Sequence, residues 1–304
     1  MNQDFLKKLP IPISGLILAI LSLGNLVQSY NIAFKAVCGI IAIVLIALLI
    51  IKLFLYMDIV RNDLSNPIIL MNSGTFSMAL MILSTYVNQF SGICALSIWI
   101  LGIAIHILLI VYVTYHYIVR NFNITMVYPS CWIVFVGITM AAITAHVHDL
   151  FEIAIIFFIF GFSAMIISLP VVIYRYLKYP AIPNPNKPLI CIFTALFSIL
   201  IVGYVNSFNN INFNFLMILY AIACVFYLFS LYKVIEYRNL EFYPSYSAFS
   251  FPFVISTIAS GEVMAIAHNI ILSYVTKIQL IIAVVLVAYV LFKYLEFLFS
   301  NNGL

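Results

Sequence analysis

Long apolar runs separated by short polar stretches make up almost the whole sequence. A helix that crosses the hydrocarbon core of a bilayer needs about 20 apolar residues, and ten runs reach or approach that length. The runs are continuous rather than alternating, so they predict transmembrane α-helices and exclude a β-barrel. We number them as segments one to ten; they cover residues 10–27, 36–57, 67–87, 93–119, 129–145, 150–173, 188–205, 213–234, 247–272 and 278–299.

Consecutive segments are predicted to pair as helical hairpins, because the polar stretches inside each pair, such as 88–92 and 146–150, are very short. A proline opens or precedes each odd segment at nearly even spacing, which favours a five-fold repeat within one transmembrane domain of residues 1–304. Proline at a helix start costs little, since the first N–H groups have no intrahelical partner. Prolines that simply favour loops are the alternative. The hairpins cover residues 9–57, 66–119, 128–174, 187–235 and 244–300, and their prolines are Pro10, Pro67, Pro129, Pro188 and Pro244.

Small and hydroxyl side chains are concentrated in the odd segments, for example Ser73, Gly74 and Thr75 in segment three. The even segments are more apolar; segment two is nearly all Ile, Leu, Val and Ala, and segment ten has almost nothing polar in its middle. Polar and small residues favour helix contacts or a water-filled path, whereas large aliphatic residues can contact lipid. This contrast predicts an all-α membrane fold with an inner ring of five odd helices around a central pore and an outer ring of even helices. Ordinary small-residue packing without a lumen is the alternative.

Composition restricts the class of protein. Of the 304 residues, 66% are hydrophobic and only 7% are charged, against about 25% charged in soluble domains. A soluble enzyme, a nucleic-acid binder and a disulfide-linked secreted domain are therefore excluded. The five cysteines are scattered through apolar runs, and no metal-ligand spacing, nucleophile–base pair or phosphate-binding glycine loop is present. The sequence predicts no enzymatic activity, no cofactor and no metal site.

The basic residues lie almost entirely on one side of the predicted segments, which we call the basic face. The N-terminus is on this side, and only Lys35 and Lys277, of 13 Lys and Arg, lie on the opposite face. Because cytoplasmic loops are enriched in Lys and Arg, both termini are predicted to be cytoplasmic. An even number of segments also requires the two termini to lie on the same side of the membrane.

Three sequence stretches resemble a known family. These are LPIPISGLILAILSLGN in segment one, NPIILMNSGTFSMAL at segment three and SAFSFPFVISTIAS at segment nine. Together with the five hairpins, they resemble the tellurite-resistance/dicarboxylate transporter family, which includes bacterial TehA and the slow-type anion channels of plant guard cells. The resemblance implies a homotrimer in the bacterial inner membrane. It also implies one pore per subunit, enclosed by the odd helices and occluded by a phenylalanine of helix nine.

Phe251 best matches the occluding phenylalanine, with Phe249 and Phe253 as the neighbours to which a register error would transfer the role. An aromatic ring in a narrow lumen blocks hydrated ions sterically and by dewetting. Gly15 matches a glycine that lines the family pore, although close helix packing would also explain a glycine there. The predicted pore-lining residues are Gly15, Thr75, Gly137, Thr194 and Ile255.

Ionisable residues within the segments bear on mechanism. No Lys or Arg lies in the middle of a segment, whereas a dicarboxylate carrier usually needs such cations. The sequence therefore favours a passive channel for small monovalent anions. A proton-coupled carrier of a small organic acid or oxyanion is the alternative, and an intramembrane sensor or scaffold is the third. Glu262 and His268 are candidates for a pH-sensitive role. His106, His146, His148, Asp149 and Glu152 are the remaining titratable groups considered.

Overall fold

Helices account for the regular structure of the chain. The computed structural model describes residues 3–300, and within that range no strand is present. Eight helices are long and apolar enough to cross a membrane: Ile32–Leu55, Pro67–Val87, Gly92–Arg120, Phe151–Lys178, Asn184–Ser207, Phe213–Tyr237, Pro244–Ala267 and Ile270–Phe299. They coincide with eight of the ten predicted segments. The protein is therefore a multi-pass membrane protein.

Segments one and five differ from the expectation of ten full-length helices. Segment one is a helix of only 15 residues, Ile13–Val27, which begins directly after Pro12. Segment five is broken into Ser130–Phe135 and Thr139–Thr144. At the break, the N–H groups of Val136 and Gly137 both donate to the Trp132 carbonyl. A Cβ atom at Gly137 would collide with the Ile133 carbonyl, so the tight turn requires glycine.

The other odd segments are also interrupted near their starts. Segment three consists of Pro67–Asn72 and Gly74–Val87. Segments seven and nine each begin as a 3₁₀ helix, Asn184–Cys191 and Pro244–Phe249, and continue as the α-helices Ile192–Ser207 and Phe251–Ala267. The prolines that suggested a repeat lie at or before these irregular starts, where a missing N–H is tolerated.

The even segments are longer and continuous. They are Ile32–Leu55, Gly92–Val113, Phe151–Lys178, Phe213–Tyr237 and Ile270–Phe299, and a π-helical turn, Thr114–Arg120, extends segment four. Four of them begin with a side-chain cap in which an Asn or Ser oxygen accepts a backbone N–H of the first turn. The four capping residues are Asn31, Ser91, Asn212 and Asn269.

Burial separates the two sets of segments. In segments three, seven and nine, 78%, 94% and 67% of the residues are buried, against 22–33% in the even segments. Segment one is buried throughout Ile13 to Gly24. Each odd segment contacts the next odd segment in chain order, and segment nine contacts segment one. The contacts of the odd segments therefore close into a ring, and the even segments lie outside it.

A short amphipathic helix, Met57–Ser65, follows segment two and is absent from the sequence-based prediction. Lys52, at the end of segment two, is buried instead of lying at an exposed rim. Its Nζ atom lies 2.7 Å from the Leu9 carbonyl and 3.4 Å from the Asp63 carboxylate. The ammonium group thus connects segment two, the start of segment one and the amphipathic helix, which orders the basic face.

His106 connects three segments in the interior. From segment four, its Nδ1 atom lies 2.7 Å from the Ser77 hydroxyl of segment three, and its Nε2 atom lies 2.9 Å from the Val134 carbonyl of segment five. The imidazole is fully buried. Its position is that of a structural cross-link.

Replacement of His106 by Leu should destabilise the fold. It removes two interhelical hydrogen bonds, each worth about 0.6–1.7 kcal/mol inside a membrane protein, so we expect a loss of roughly 1–3 kcal/mol. Thermal unfolding of the purified protein in detergent would measure the change. His116→Leu is the matched control, because the His116 imidazole lies by the Tyr112 carbonyl and packs on the Tyr112 and Tyr115 rings, all of the same segment. Equal melting temperatures for the two variants would contradict the cross-link.

Candidate functional site

A small cavity, which we call the narrow cavity, lies inside the ring of odd segments and has a volume of about 50 Å³. All five odd segments contribute to its wall, each from its first half. The lining is largely apolar, with hydroxyl and amide groups on one side. Its residues are Gly15, Asn72, Thr75, Met78, Trp132, Ile133, Val136, Gly137, Ile192, Ala195, Leu196, Ile199, Ser247, Ala248, Phe251 and Pro252.

A second cavity, the wide cavity, has a volume of about 610 Å³ and is also lined by all five odd segments, here from their second halves. Its wall is more polar and includes charged groups. The lining residues are Ser22, Asn25, Leu26, Gln28, Ser29, Lys35, Ile82, Thr85, Met140, Ile143, Thr144, His146, Val147, Asn206, Ile255, Ile258, Gly261 and Glu262.

The two cavities follow one another along the ring. Within segment nine, Phe251 lines the narrow cavity and Ile255, one helical turn later, lines the wide cavity. Ile199 and Asn206 show the same order in segment seven. The odd segments therefore run in the same direction, from the basic face to the opposite face. We call the two cavities, taken in this order, the path.

Phe251 differs from its two neighbours in what it contacts. Its ring lies against the narrow cavity, at the first turn of the helix Phe251–Ala267 and beside Pro252. Phe253 instead packs on Tyr227 of segment eight, and Phe249 packs on Tyr246. Neither of these rings lines the narrow or the wide cavity. Of the three phenylalanines considered from the sequence, Phe251 is thus the one adjacent to the path.

Gly15 and Thr75 lie on the wall of the narrow cavity where segments one, three and nine approach one another. A Cβ atom on Gly15 would lie 3.0 Å from the Cβ atom of Ser247, so the glycine permits this close approach. The hydroxyl oxygens of Ser14 and Thr75 are 2.7 Å apart and form a hydrogen bond between segments one and three. Gly137 lines the same cavity, and Ile255 lines the wide one.

Thr194 lines neither cavity, although the sequence predicted it to line the pore, and His268, a candidate for a pH-sensitive role, lines neither cavity as well. The Thr194 hydroxyl donates to the Phe226 carbonyl of segment eight at 2.9 Å, so the side chain points outward from the ring. A 3₁₀ helix precedes segment seven, and it shifts the angular position of Thr194 relative to a continuous α-helix. His268 is the left-handed residue that ends segment nine and lies beyond the wide cavity.

Charged and amide side chains collect in the wide cavity. Glu262 faces it from segment nine, His146 from the end of segment five, and Lys35 from the start of segment two. The Lys35 Nζ atom lies 2.7 Å from Gln28 Oε1. Sequence reasoning missed Asn25 and Asn206, although an amide near the end of an otherwise apolar odd segment was the available signal.

Two buried oxygens on this wall, Ser22 Oγ and Asn25 Oδ1, lack hydrogen-bond partners among the described atoms. Such groups need a polar partner, for which water is the simplest candidate. The wide cavity therefore has the polarity of a hydrated space.

The histidines near the end of segment five point in different directions. His146 Nδ1 donates to the Ile143 carbonyl, whereas His148 Nε2 lies 3.0 Å from the Ser84 hydroxyl and its ring stacks on Trp99. Across residues 3–300, no group of three or more His, Cys, Asp or Glu side chains is arranged to hold a metal ion.

Residues 9–295 match the family model for the voltage-dependent anion channel, SLAC1. The chain belongs to the voltage-dependent anion channel family. The match covers nearly the whole chain and confirms the resemblance drawn from the segment motifs. The family consists of anion channels and transporters rather than enzymes, which gives this protein a general role in moving small anions across a membrane. No curated protein matches the chain.

The separation of the two cavities predicts a difference in chemical accessibility along segment seven. In a background with Cys94 and Cys224 replaced by Ala, Asn206→Cys should react with a membrane-impermeant thiol reagent added at the opposite face. Ile199→Cys is the matched control, because it lies seven residues earlier on the same side of the helix and lines the narrow cavity. We expect it to be protected. Equal rates of modification at the two positions would contradict two separate cavities.

Proposed function

We propose that this protein is a passive channel for small monovalent anions, and that Phe251 occludes its pore at the narrow cavity. One observation carries the proposal: all five odd segments line both cavities in sequence, and the Phe251 ring borders the narrower one. A cavity of about 50 Å³ holds at most a few water molecules. A hydrated anion must therefore lose water or displace the ring in order to pass.

The chemistry of the narrow cavity favours a channel over a carrier. Among the described residues of its wall, none is ionisable, and the polar groups are hydroxyls and the Asn72 amide. Conduction requires weak binding and rapid exit. A carrier of an organic dianion would need fixed cations in the site. The absence of such cations from the wall supports weak, short-lived contacts with a monovalent anion.

Orientation and assembly belong to the same proposal. Ten membrane crossings, with segments one and five as short inner helices, give a quasi-five-fold arrangement around the pore and cytoplasmic termini. Basic residues such as Arg120 and Lys187 then lie at the cytoplasmic side, where they raise the local anion concentration. A homotrimer in the bacterial inner membrane, with one pore per subunit, follows from the family resemblance. The exposed apolar surfaces of the even segments are compatible with it.

A proton-coupled carrier of a small organic acid or oxyanion, of the dicarboxylate or tellurite type, is the second candidate. The observation that favours it is Glu262, a carboxylate in the wide cavity for which no hydrogen bond or ion pair is formed within residues 5–300. Such a group can take up a proton from the opposite face. The same carboxylate has an electrostatic role in a channel.

Removal of the Phe251 ring should increase anion conduction. In planar bilayers or proteoliposomes, Phe251→Ala should carry several-fold more anion current than the unmodified protein, because the ring no longer fills the path. Phe253→Ala is the matched control. It removes the same ring from the same helix, but from the side that packs on Tyr227.

Two outcomes would contradict the proposal. An unchanged current in Phe251→Ala would mean that this ring is not the gate. Saturable uptake that requires a proton gradient and carries no current would contradict the channel and support the carrier. A channel instead gives flux that follows the membrane potential in the absence of a pH gradient.

Glu262 should reduce anion conduction when it is ionised. A unit charge about 4 Å from an ion in water contributes about 1 kcal/mol, or about fivefold in local anion concentration. We therefore expect Glu262→Gln to raise the anion current at neutral pH by up to that factor. Acidification of the opposite face should raise the current of the unmodified protein and have less effect on the variant.

The other charged groups of the wide cavity limit the size of this effect. His146 lines the same cavity, so any response to acidification that remains in Glu262→Gln should disappear when His146 is also replaced by Ala. Glu152→Gln is the control, since Glu152 is exposed at the start of segment six and does not line the cavity. A larger effect from Glu152 than from Glu262 would contradict the assignment.

A further inference from the structure

A deep apolar groove lies on the outer surface between segments four and six, in the half of the molecule nearer the basic face. Its volume is about 620 Å³. Segments four and six form its two sides, segment five and the start of segment three form its floor, and residues 121–127 close its end. The lining residues used below are Phe160, Ser163, Ser168, Val171, Cys131 and Phe135.

The groove has the length of one leaflet of a bilayer. From Phe160 to Val171 the helix rises by roughly 16 Å, and half of a hydrocarbon core of about 30 Å is about 15 Å. The residues beside the groove, including Ile118 and Ile167, are exposed and apolar, so the groove opens directly toward the lipid. An empty apolar groove of this depth would leave its walls without dispersion contacts. A hydrocarbon chain from the surrounding leaflet matches the groove in length, and it is apolar like the groove walls.

The end of the groove at the basic face is polar and cationic. Asn121 and Asn123 line it, Arg120 precedes them, and Lys178 lies seven residues beyond Val171 on the same side of its helix. Within residues 5–300, neither Arg120 nor Lys178 forms an ion pair. These two exposed cations, next to amide donors at headgroup depth, complement an anionic phosphate group.

The floor of the groove is the reverse side of the narrow-cavity wall. The short helix Ser130–Phe135 presents Cys131 and Phe135 to the groove, and Trp132 and Ile133 to the narrow cavity. The Trp132 indole N–H donates to the hydroxyl of Ser168, a groove residue, at 2.9 Å. One interrupted helix therefore separates lipid from the lumen and contacts both.

We propose that this groove binds one acyl chain of an anionic phospholipid from the basic-face leaflet, with the headgroup at Arg120 and Lys178. The bound chain supports the interrupted helix of segment five from behind and thereby contributes to the shape of the narrow cavity. The site is separate from the ion path, and the assignment does not depend on what the protein transports.

Quenching of Trp132 fluorescence by brominated acyl chains tests the proposal without a transport measurement. Replacement of Trp99 by Phe leaves Trp132 as the single tryptophan. The protein is reconstituted in bilayers with a small fraction of brominated phosphatidylglycerol among unlabelled phosphatidylcholine, or with the labels reversed. We expect stronger quenching by the brominated phosphatidylglycerol. Ser163→Phe, which fills the groove from an exposed position, should reduce the quenching, and Arg120→Gln with Lys178→Gln should remove the lipid preference.

Ser97→Phe is the matched control, because it makes the same change at an exposed serine of segment four outside the groove. Quenching unaffected by Ser163→Phe would overturn the acyl-chain site. Quenching that depends on Ser163 but is equal for the two lipids would overturn the anionic headgroup. If Ser163→Phe instead dissociates an oligomer seen by native mass spectrometry and no quenching occurs, the groove is an interface between copies of the chain.

Discussion

The structure depends on the rule that backbone N–H and C=O groups cannot remain unpaired in hydrocarbon. Continuous helices satisfy this rule by themselves, and all five even segments are continuous. Segments three, five and nine are interrupted at Ser73, Val136 and Ser250, where bonds to the third preceding residue partly replace the regular α-helical bonds. Interrupted helices are tolerated only inside protein or along water. The arrangement of interrupted helices inside and intact helices outside therefore follows from backbone chemistry and from side-chain polarity alike.

The interruptions of the odd segments lie close to the narrow cavity. Those of segments three, five and nine lie within a few residues of the side chains that line the narrow cavity, namely Asn72, Val136 and Phe251. A 3₁₀ or broken start changes the rotation of the helix that follows it. That rotation directs Phe251 toward the axis and Phe253 toward segment eight. The position of the aromatic ring is thus a consequence of the proline-containing helix start.

Hydropathy and composition were sufficient to predict eight of the ten segments as membrane-length helices and the division into buried and exposed sets, whereas the family was indicated by three sequence stretches. Hydropathy and composition could not predict which way side chains face after an interruption. A 3₁₀ turn rotates the helix that follows it, and the 3.6-residue periodicity of an α-helix does not include that rotation. Gly15 and Thr75 border the narrow cavity, whereas Thr194, which follows a 3₁₀ start, points to segment eight. The amphipathic helix Met57–Ser65 was missed because it is too short for a clear periodicity. Its anchor, Lys52, is buried, and hydropathy alone gives no sign of the contact with Asp63.

The distribution of charge along the path follows from desolvation. A charged side chain in the narrow cavity would lose most of its water at a cost of several kcal/mol, whereas the wide cavity can hydrate Glu262, Lys35 and His146. In the proposed channel, an anion would meet the same penalty. Its charge would be screened in the wide cavity, and it would exchange water for hydroxyl and amide contacts beside Phe251. Weakly hydrated monovalent anions would lose least in that exchange. On this proposal the apolar narrow cavity contributes to selectivity without a fixed cation, and the charges of the wide cavity adjust how many anions reach it.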